Sequence, residues 1–361
     1  MTVETSAPAS ATDMDAEMAP PRVASWPRRV VRQPVLWVAL IDIGLIALFS
    51  LISPGHAFFK VANFTNMGLD AAEIVLLAAA VALLIGAGEL DISLGANLVL
   101  SSVVGAKVCV ALAGSDAEVA AGLYPHLGIA IAAGVVATIL AGSLFGLGNA
   151  LLVTRAGINS FIATLGTLGI GTGLALVIAG GNDVQFVPPQ LQSGFGLAKV
   201  AGVPLAFIVS LVAGGVLWFL LRRTRLGLRT LALGSSREAA IRAGVPAAKT
   251  LLVLFVLVGA LVGVAGFIDF SRFATTNVGG HQTDALAAIA GVVIGGGSLF
   301  GGRVSIPGAV LGALLAVILQ TGLIIQGLQP FYQQIAVGTV LLIAVWIRGH
   351  ARWTPDGSTQ T

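Results

Sequence analysis

The side chains best equipped for chemistry are acids and hydroxyls set into otherwise apolar sequence. Gly86-Ala87-Gly88-Glu89-Leu90-Asp91-Ile92-Ser93-Leu94-Gly95 places two carboxylates between two hydrophobic runs. Charge at membrane depth is costly, so Asp91 must face protein or water, with Ser93 or backbone amides satisfying it. Two roles fit Asp91: a cap on the helix that follows, favoured by the helix dipole, or a contact for a passing solute. A second stretch, Asn159-Ser160-Phe161-Ile162-Ala163-Thr164-Leu165-Gly166-Thr167, sets Asn159, Phe161, Thr164 and Thr167 at close to helical spacing. An amide, an aromatic ring and two hydroxyls along a path suit an uncharged polyol better than an ion. The structural alternative is capping by Asn159 and interhelical bonds from the threonines. Asp42, Asp91 and Asp269 are the acids an ion-coupled carrier would use.

Catalysis has no comparable basis. His56, His126, His281 and His350 fall near the ends of apolar runs or in loops, and no His-Glu-x-x-His pair is present. Cys109 is the single cysteine and lies inside an apolar segment, which excludes an intrachain disulfide and a cysteine metal framework. No catalytic and no metal-ligating residue is expected.

These residues need a membrane scaffold to position them. The chain is 57% hydrophobic and only 10% charged, where soluble domains carry roughly 25% charged residues. At about 20 apolar residues per span, ten candidates emerge near 35–53, 70–88, 93–113, 127–153, 158–180, 203–221, 250–270, 284–300, 305–326 and 331–347. The expected fold is an all-α polytopic membrane protein of about ten transmembrane helices. Residues 1–34 read as a polar, disordered cytoplasmic tail, 35–348 as the membrane domain, and 349–361 as a cytoplasmic C-terminal tail.

Glycine refines that picture. Gly-x-x-x-Gly occurs at Gly142/Gly146, Gly169/Gly173, Gly259/Gly263, Gly291/Gly295, Gly297/Gly301 and Gly308/Gly312, which predicts close helix packing. The run from Gly291 to Gly302 is too glycine-rich for a continuous helix, so the eighth segment is expected to be broken or re-entrant, covered by protein or a watery cavity. It has no Gly-x-x-x-x-Gly-Lys-Ser/Thr, so the chain itself should not bind ATP.

Charge sets the orientation. Arg222, Arg223, Arg225, Arg229, Arg237, Arg242 and Lys249 crowd the 222–249 loop against one acid, Glu238. Basic loops stay in the cytoplasm, which gives an N-in, C-in topology. The positive charge is thereby explained by orientation, and nucleic-acid binding is not expected. Within the loop, Ser235-Ser236-Arg237-Glu238 reads as a capping box opening a helix through Ala239, Ala240, Ile241 and Arg242. Gly244 can close that helix in the left-handed conformation, and Pro246 blocks continuation. So short a helix is marginal alone. It rests either on its own membrane helices or on a cytoplasmic partner.

The ordered set of Gly-x-x-Asp-x-Ser-x-Gly at 88–95, the 159–167 stretch, Thr-Arg-Leu-Gly at 224–227 with Arg-Glu-Ala-Ala-x-x-x-Gly at 237–244, and Gly-Gly-x-Ser-Leu-x-Gly-Gly ending at Gly302 resembles the permease subunits of ribose/xylose-type ABC sugar importers. The similarity runs from about residue 35 to 348. It implies a multi-pass protein of the bacterial cytoplasmic membrane that passes a monosaccharide inward. Its implied partners are a cytoplasmic ABC ATPase that uses ATP and Mg, a second permease copy, and a periplasmic or surface-tethered sugar-binding protein. By the same resemblance, 235–244 is similar to the coupling helix that docks on the ATPase. The path would be lined from Asp91, Ser93, Asn159, Phe161, Thr164 and Thr167. Branched-chain amino acid permeases, of related architecture, and ion-coupled secondary transporters are the alternatives.

Overall fold

The computed structural model describes residues 34–329 and, beyond them, Tyr332, Ile335, Gly338 and Thr339. The tail ahead of Pro34, the tenth candidate span apart from those four residues, and the C-terminal tail lie outside the described residues.

Apolar composition and length produce eight helices long enough to cross a membrane among the described residues. They are α1 (Pro34–Ile52), α2 (Val61–Gly86), α3 (Leu94–Ala113), α5 (Leu127–Thr154), α6 (Ser160–Ala179), α7 (Leu205–Arg223), α10 (Ala247–Phe273) and α12 (Ile306–Ile325). Between them stand shorter helices: α4 (Asp116–Ala120), α8 (Arg225–Ser235), α9 (Arg237–Arg242) and α11 (Asp284–Ile294). The only sheet in the described residues is a two-residue hairpin, Lys199–Val200 against Val203–Pro204. The protein is an all-α, polytopic membrane protein.

Helix α2 is the axis of the bundle. It begins earlier than its apolar core suggests, at Val61, because Asn63, Thr65, Asp70 and Glu73 are accommodated within the helix. From Ala71 to Gly86 every residue is buried, enclosed by α7, α10, α11 and α12. A second packing unit joins α5 to α10 and α3, with α6 laid against α3 at the periphery. Helix α1 attaches to α12 through Phe49, which stacks on Phe58 with ring centroids 5.5 Å apart.

The glycine motifs explain how these helices meet. Gly142 and Gly146 of α5 face Gly259 and Gly263 of α10 so closely that a Cβ on any of them would strike the opposing backbone. Gly291 and Gly295 of the α11 segment meet Gly312 and Gly308 of α12 in the same way. Where lipid gives no hydrophobic drive, such backbone approach maximises dispersion contact. Gly169 and Gly173 are different, having no neighbour within 4 Å.

The eighth segment is broken. Helix α11 spans 11 residues, about 16 Å at 1.5 Å per residue against a hydrocarbon core of about 30 Å. It stops at Gly295, and the chain stays irregular until α12, with Gly296, Gly301 and Gly302 at positive φ. Non-helical backbone of this kind is sustained by protein around it.

Candidate functional site

The connectors sort into two ends of the bundle. Residues 87–93, the α8–α9 region and the 295–305 segment converge at one end, where Gly302 N–H donates to the Gly86 carbonyl at 3.1 Å. A Cβ on Gly301 would meet the backbones of Gly234 and Gly88 at 2.7–2.8 Å, so three chain segments touch there without side chains. At the other end, Thr276 Oγ1 accepts from Val184 N–H at 2.9 Å and Asp183 accepts from Val278 N–H at 2.7 Å. These bonds tie the α6–α7 connector to the α10–α11 connector.

The α2–α3 connector exists because Gly88, at φ +80, ends α2. Its backbone donors are satisfied by α6: Leu90 N–H donates to Ser160 Oγ at 3.2 Å and Ile92 N–H to Thr164 Oγ1 at 3.3 Å. Asp91 is buried, and its Oδ1 accepts from the Ser93 amide at 2.8 Å and the Ser93 hydroxyl at 2.5 Å. Asn149 of α5 joins this set, donating to Ser93 Oγ at 2.9 Å and Asp91 Oδ2 at 3.4 Å. Asp91 thus knits the start of α3 to α5; the residue in the capping position is Ser93, whose side chain makes no cap bond of its own.

The 159–167 stretch divides among three surroundings. Asn159 caps α6, its Oδ1 accepting from Phe161 N–H at 3.0 Å. Phe161 points outward, 47% exposed. Thr164 and Thr167 are buried; Thr164 Oγ1 donates to the Ser160 carbonyl at 2.7 Å, and Thr167 Oγ1 to the Thr164 carbonyl at 3.3 Å.

The basic loop holds two helices rather than one, and the expected capping box is displaced. Thr224 caps α8, and α8 continues through Ser235, whose hydroxyl donates to the Leu231 carbonyl at 2.8 Å. With the Ser235 amide inside α8, capping of α9 passes to Ser236, whose Oγ accepts from Ala239 N–H at 3.3 Å. Glu238 turns outward and pairs with Arg242 at 2.9 Å instead of reaching back. Gly244 does take positive φ, +84. Helix α9 is exposed except at Ala240, and one bond links it inward: Arg237 Nη1 donates to Glu89 Oε1 at 2.8 Å, with Glu89 buried. The S-x-x-E signature closes a full capping box elsewhere, at Ser115 and Glu118 on α4. There the Ser115 amide and hydroxyl hold the Glu118 carboxyl below its ordinary range.

Sequence reasoning missed a second polar centre, near the other end. His281 of the α10–α11 connector approaches Asp269 of α10 (Nε2 to Oδ1, 3.2 Å), Asp284 of α11 (Nδ1 to Oδ2, 2.7 Å) and Glu73 of α2 (Nδ1 to Oε2, 3.7 Å). Ser102 of α3 donates to Asp269 Oδ2 at 2.7 Å. Beside it Arg272 pairs with Asp70 at 2.5 Å. These residues come from four separate stretches of chain, and only their membrane depth distinguishes them in sequence.

The two polar regions approach one another. The carbonyl of His281 lies against Gly95, the second residue of α3, so tightly that a Cβ there would overlap it. The α10–α11 connector therefore descends into the bundle to within two residues of Ser93. Beside it is a cavity of about 440 Å³ between α3, α6 and this connector, lined by Ile92, Gly169, Thr172, Gly173 and Gln282 among others. Absent side chains at Gly169 and Gly173 leave that space open. A second cavity of about 290 Å³ is lined by Asp70, Arg272, Asn277 and Gln320, with Glu73 and His281 also in its wall.

Comparison with known proteins agrees with this architecture. Residues 63–345 match the family described as branched-chain amino acid transport system / permease component. The chain is 33% identical over 301 residues to the D-allose transport system permease protein AlsC of Escherichia coli (strain K12), covering 83% of this chain and 87% of that one. It is 33% identical over 302 residues to the ribose import permease protein RbsC of Bacillus subtilis (strain 168), covering 83% and 88%. It is 31% identical over 334 residues to the galactofuranose transporter permease protein YtfT of Escherichia coli (strain K12), covering 89% and 92%. No solved structure gives a significant match.

Proposed function

We propose, since this chain belongs to the branched-chain amino acid transport system / permease component family, that it is the membrane permease subunit of an ABC importer and passes a monosaccharide into the cytoplasm. The relatives described above are permeases named for allose, ribose and galactofuranose, and this favours a sugar over an amino acid. Neutral polar groups beside the 440 Å³ cavity, Thr172 and Gln282, match a polyol.

The observation that carries the mechanism is the Arg237–Glu89 ion pair. Helix α9 presents Glu238, Ile241 and Arg242 outward at the basic end of the bundle, the end expected in the cytoplasm. An ATPase dimer that grips α9 and closes on ATP and Mg²⁺ would displace Arg237. That motion reaches Glu89, then the connector bonded to Ser160 and Thr164 of α6, and then the Asp91–Ser93–Asn149 set that joins α3 to α5. Moving α3 against α6 changes the opening of the cavity between them, the two-state rearrangement that alternating access requires. In this reading the chain supplies no catalytic residue. The opposite end receives sugar from a binding protein, and a second permease copy completes the assembly in the inner membrane.

The test is affinity purification of the tagged full chain from mild detergent, with mass spectrometry of what accompanies it. We expect an ATPase bearing a Walker motif, lost when Arg237–Arg242 is scrambled. Recovery of the chain alone, with sugar flux driven by an ion gradient, overturns the proposal.

A further inference from the structure

We infer that Glu73, Asp269 and His281 form a binding site for one divalent transition-metal cation, of the Zn²⁺ class, buried between the two cavities. One ligand atom from each lies within 4.8 Å of the others. A cation bound at about 2.0–2.2 Å draws tetrahedral ligand atoms to roughly 3.3–3.6 Å of one another, so side-chain adjustment alone closes the set.

The surroundings have the organisation of a first shell held by a second. Asp284 Oδ2 stands 2.7 Å from His281 Nδ1. With the ring proton on Nδ1, bonded to that carboxylate, the Nε2 lone pair is directed at Asp269 Oδ1, 3.2 Å away. In that tautomer two acceptors face each other at 3.2 Å, close to the separation that a shared cation imposes on its ligands. Asp269 is itself fixed, because the Ser102 hydroxyl donates to Oδ2 and leaves Oδ1 for the site. A carboxylate on the distal ring nitrogen and a hydrogen bond on a ligating carboxylate are how metal ligands are oriented.

Glu73 supplies an independent observation. It is 7% exposed; among the described residues its Oε1 has no hydrogen-bond partner, and its Oε2 approaches His281 Nδ1 at 3.7 Å. A buried carboxylate without donors is expensive unless a cation meets it. Arg272, close by, has Nη2 engaged with Asp70 at 2.5 Å. An imidazole nitrogen with carboxylate oxygens selects Zn²⁺ and its neighbours in the transition series over the all-oxygen coordination of Mg²⁺ or Ca²⁺. The site draws on α2, α10 and the descending connector, so a bound ion would clamp the half-helix α11 to the axis of the bundle.

The experiment uses the full chain in detergent, stripped with a chelator, equilibrated with Zn²⁺ or Co²⁺, desalted and measured by elemental analysis and visible absorption. One ion per chain is expected, with Co²⁺ giving the bands of a low-symmetry nitrogen–oxygen site. Retention should disappear in Glu73→Gln, Asp269→Asn and His281→Gln, fall about 10–100-fold in affinity in Asp284→Asn, and persist in Asp70→Asn. Monodispersity and helical circular dichroism establish that each preparation is folded. A folded wild-type chain that retains no ion overturns the inference, because an imidazolium then satisfies the carboxylates. Equal retention by wild type and the near-isosteric Asp269→Asn overturns it as well.

Discussion

The hydroxyl of Thr164 closes two gaps at once, donating within α6 and accepting from Ile92 N–H of the neighbouring connector. Thr164→Val keeps the volume and strands that amide. Leaving a buried donor unsatisfied costs about 1–3 kcal/mol, so we expect a lower unfolding temperature in detergent and weaker flux, both recovered by Thr164→Ser. Outside the membrane, Glu118 gives a pH prediction. Its carboxyl titrates below the ordinary range because Ser115 bonds the ionised form. The contribution to α4 is therefore complete above the ordinary carboxylate pKa and is lost as pH falls through the lowered value. Protection factors at residues 115–123, taken relative to the intrinsic exchange rate at each pH, should fall across that interval and stay flat in Glu118→Gln. At this scale the sequence was legible where a residue acts on its own neighbourhood. Asn159 caps its helix and Gly244 closes one, whereas the Ser235 cap shifted by one residue because α8 ran further than its composition announces. Glu73, Asp269 and His281 were invisible as a group, since no local pattern says which helices will lie side by side.

Among elements, the link between α9 and the α2–α3 connector predicts a separable phenotype. Glu89→Arg should leave assembly intact and lower transport per ATP hydrolysed, and pairing it with Arg237→Glu should restore coupling. Equal coupling in single and double variants would remove that ion pair from the mechanism. The glycine seams predict a contrast that composition alone could not make. Gly259→Ala drives a methyl group into the Gly142 carbonyl, an overpacking that costs about 1–3 kcal/mol or more. Gly169→Ala meets open space and should be silent in thermal unfolding, while narrowing the cavity between α3 and α6 enough to alter flux. All six Gly-x-x-x-Gly pairs look alike in sequence. Hydrophobic runs were sufficient to locate the eight long helices, and the break in the eighth segment was readable from Gly291 to Gly302. Helix α8 went unforeseen because its charges mask an amphipathic period.

For the molecule as a whole, the order of the chain differs from the order of packing. Helix α2 is made early, yet the helices that enclose it, α7, α10, α11 and α12, all follow it by more than a hundred residues. Helix α11 is too short to cross the membrane, and the glycine face that holds it, Gly291 and Gly295, finds its counterpart on α12. A nascent chain that has emerged only as far as Ser305 therefore offers that half-helix α2 to pack against but lacks the glycine seam on its other side. We expect α11 to be held stably only once Gly308 and Gly312 arrive, so that the two enter together as one hairpin. Chains terminated after Arg303 should accordingly leave α11 open to protease, while chains extended to Gln326 protect it. The unit of membrane insertion expected here is thus set by a backbone seam as well as by hydrophobicity, and segments made long after α2 decide whether that helix is ever enclosed.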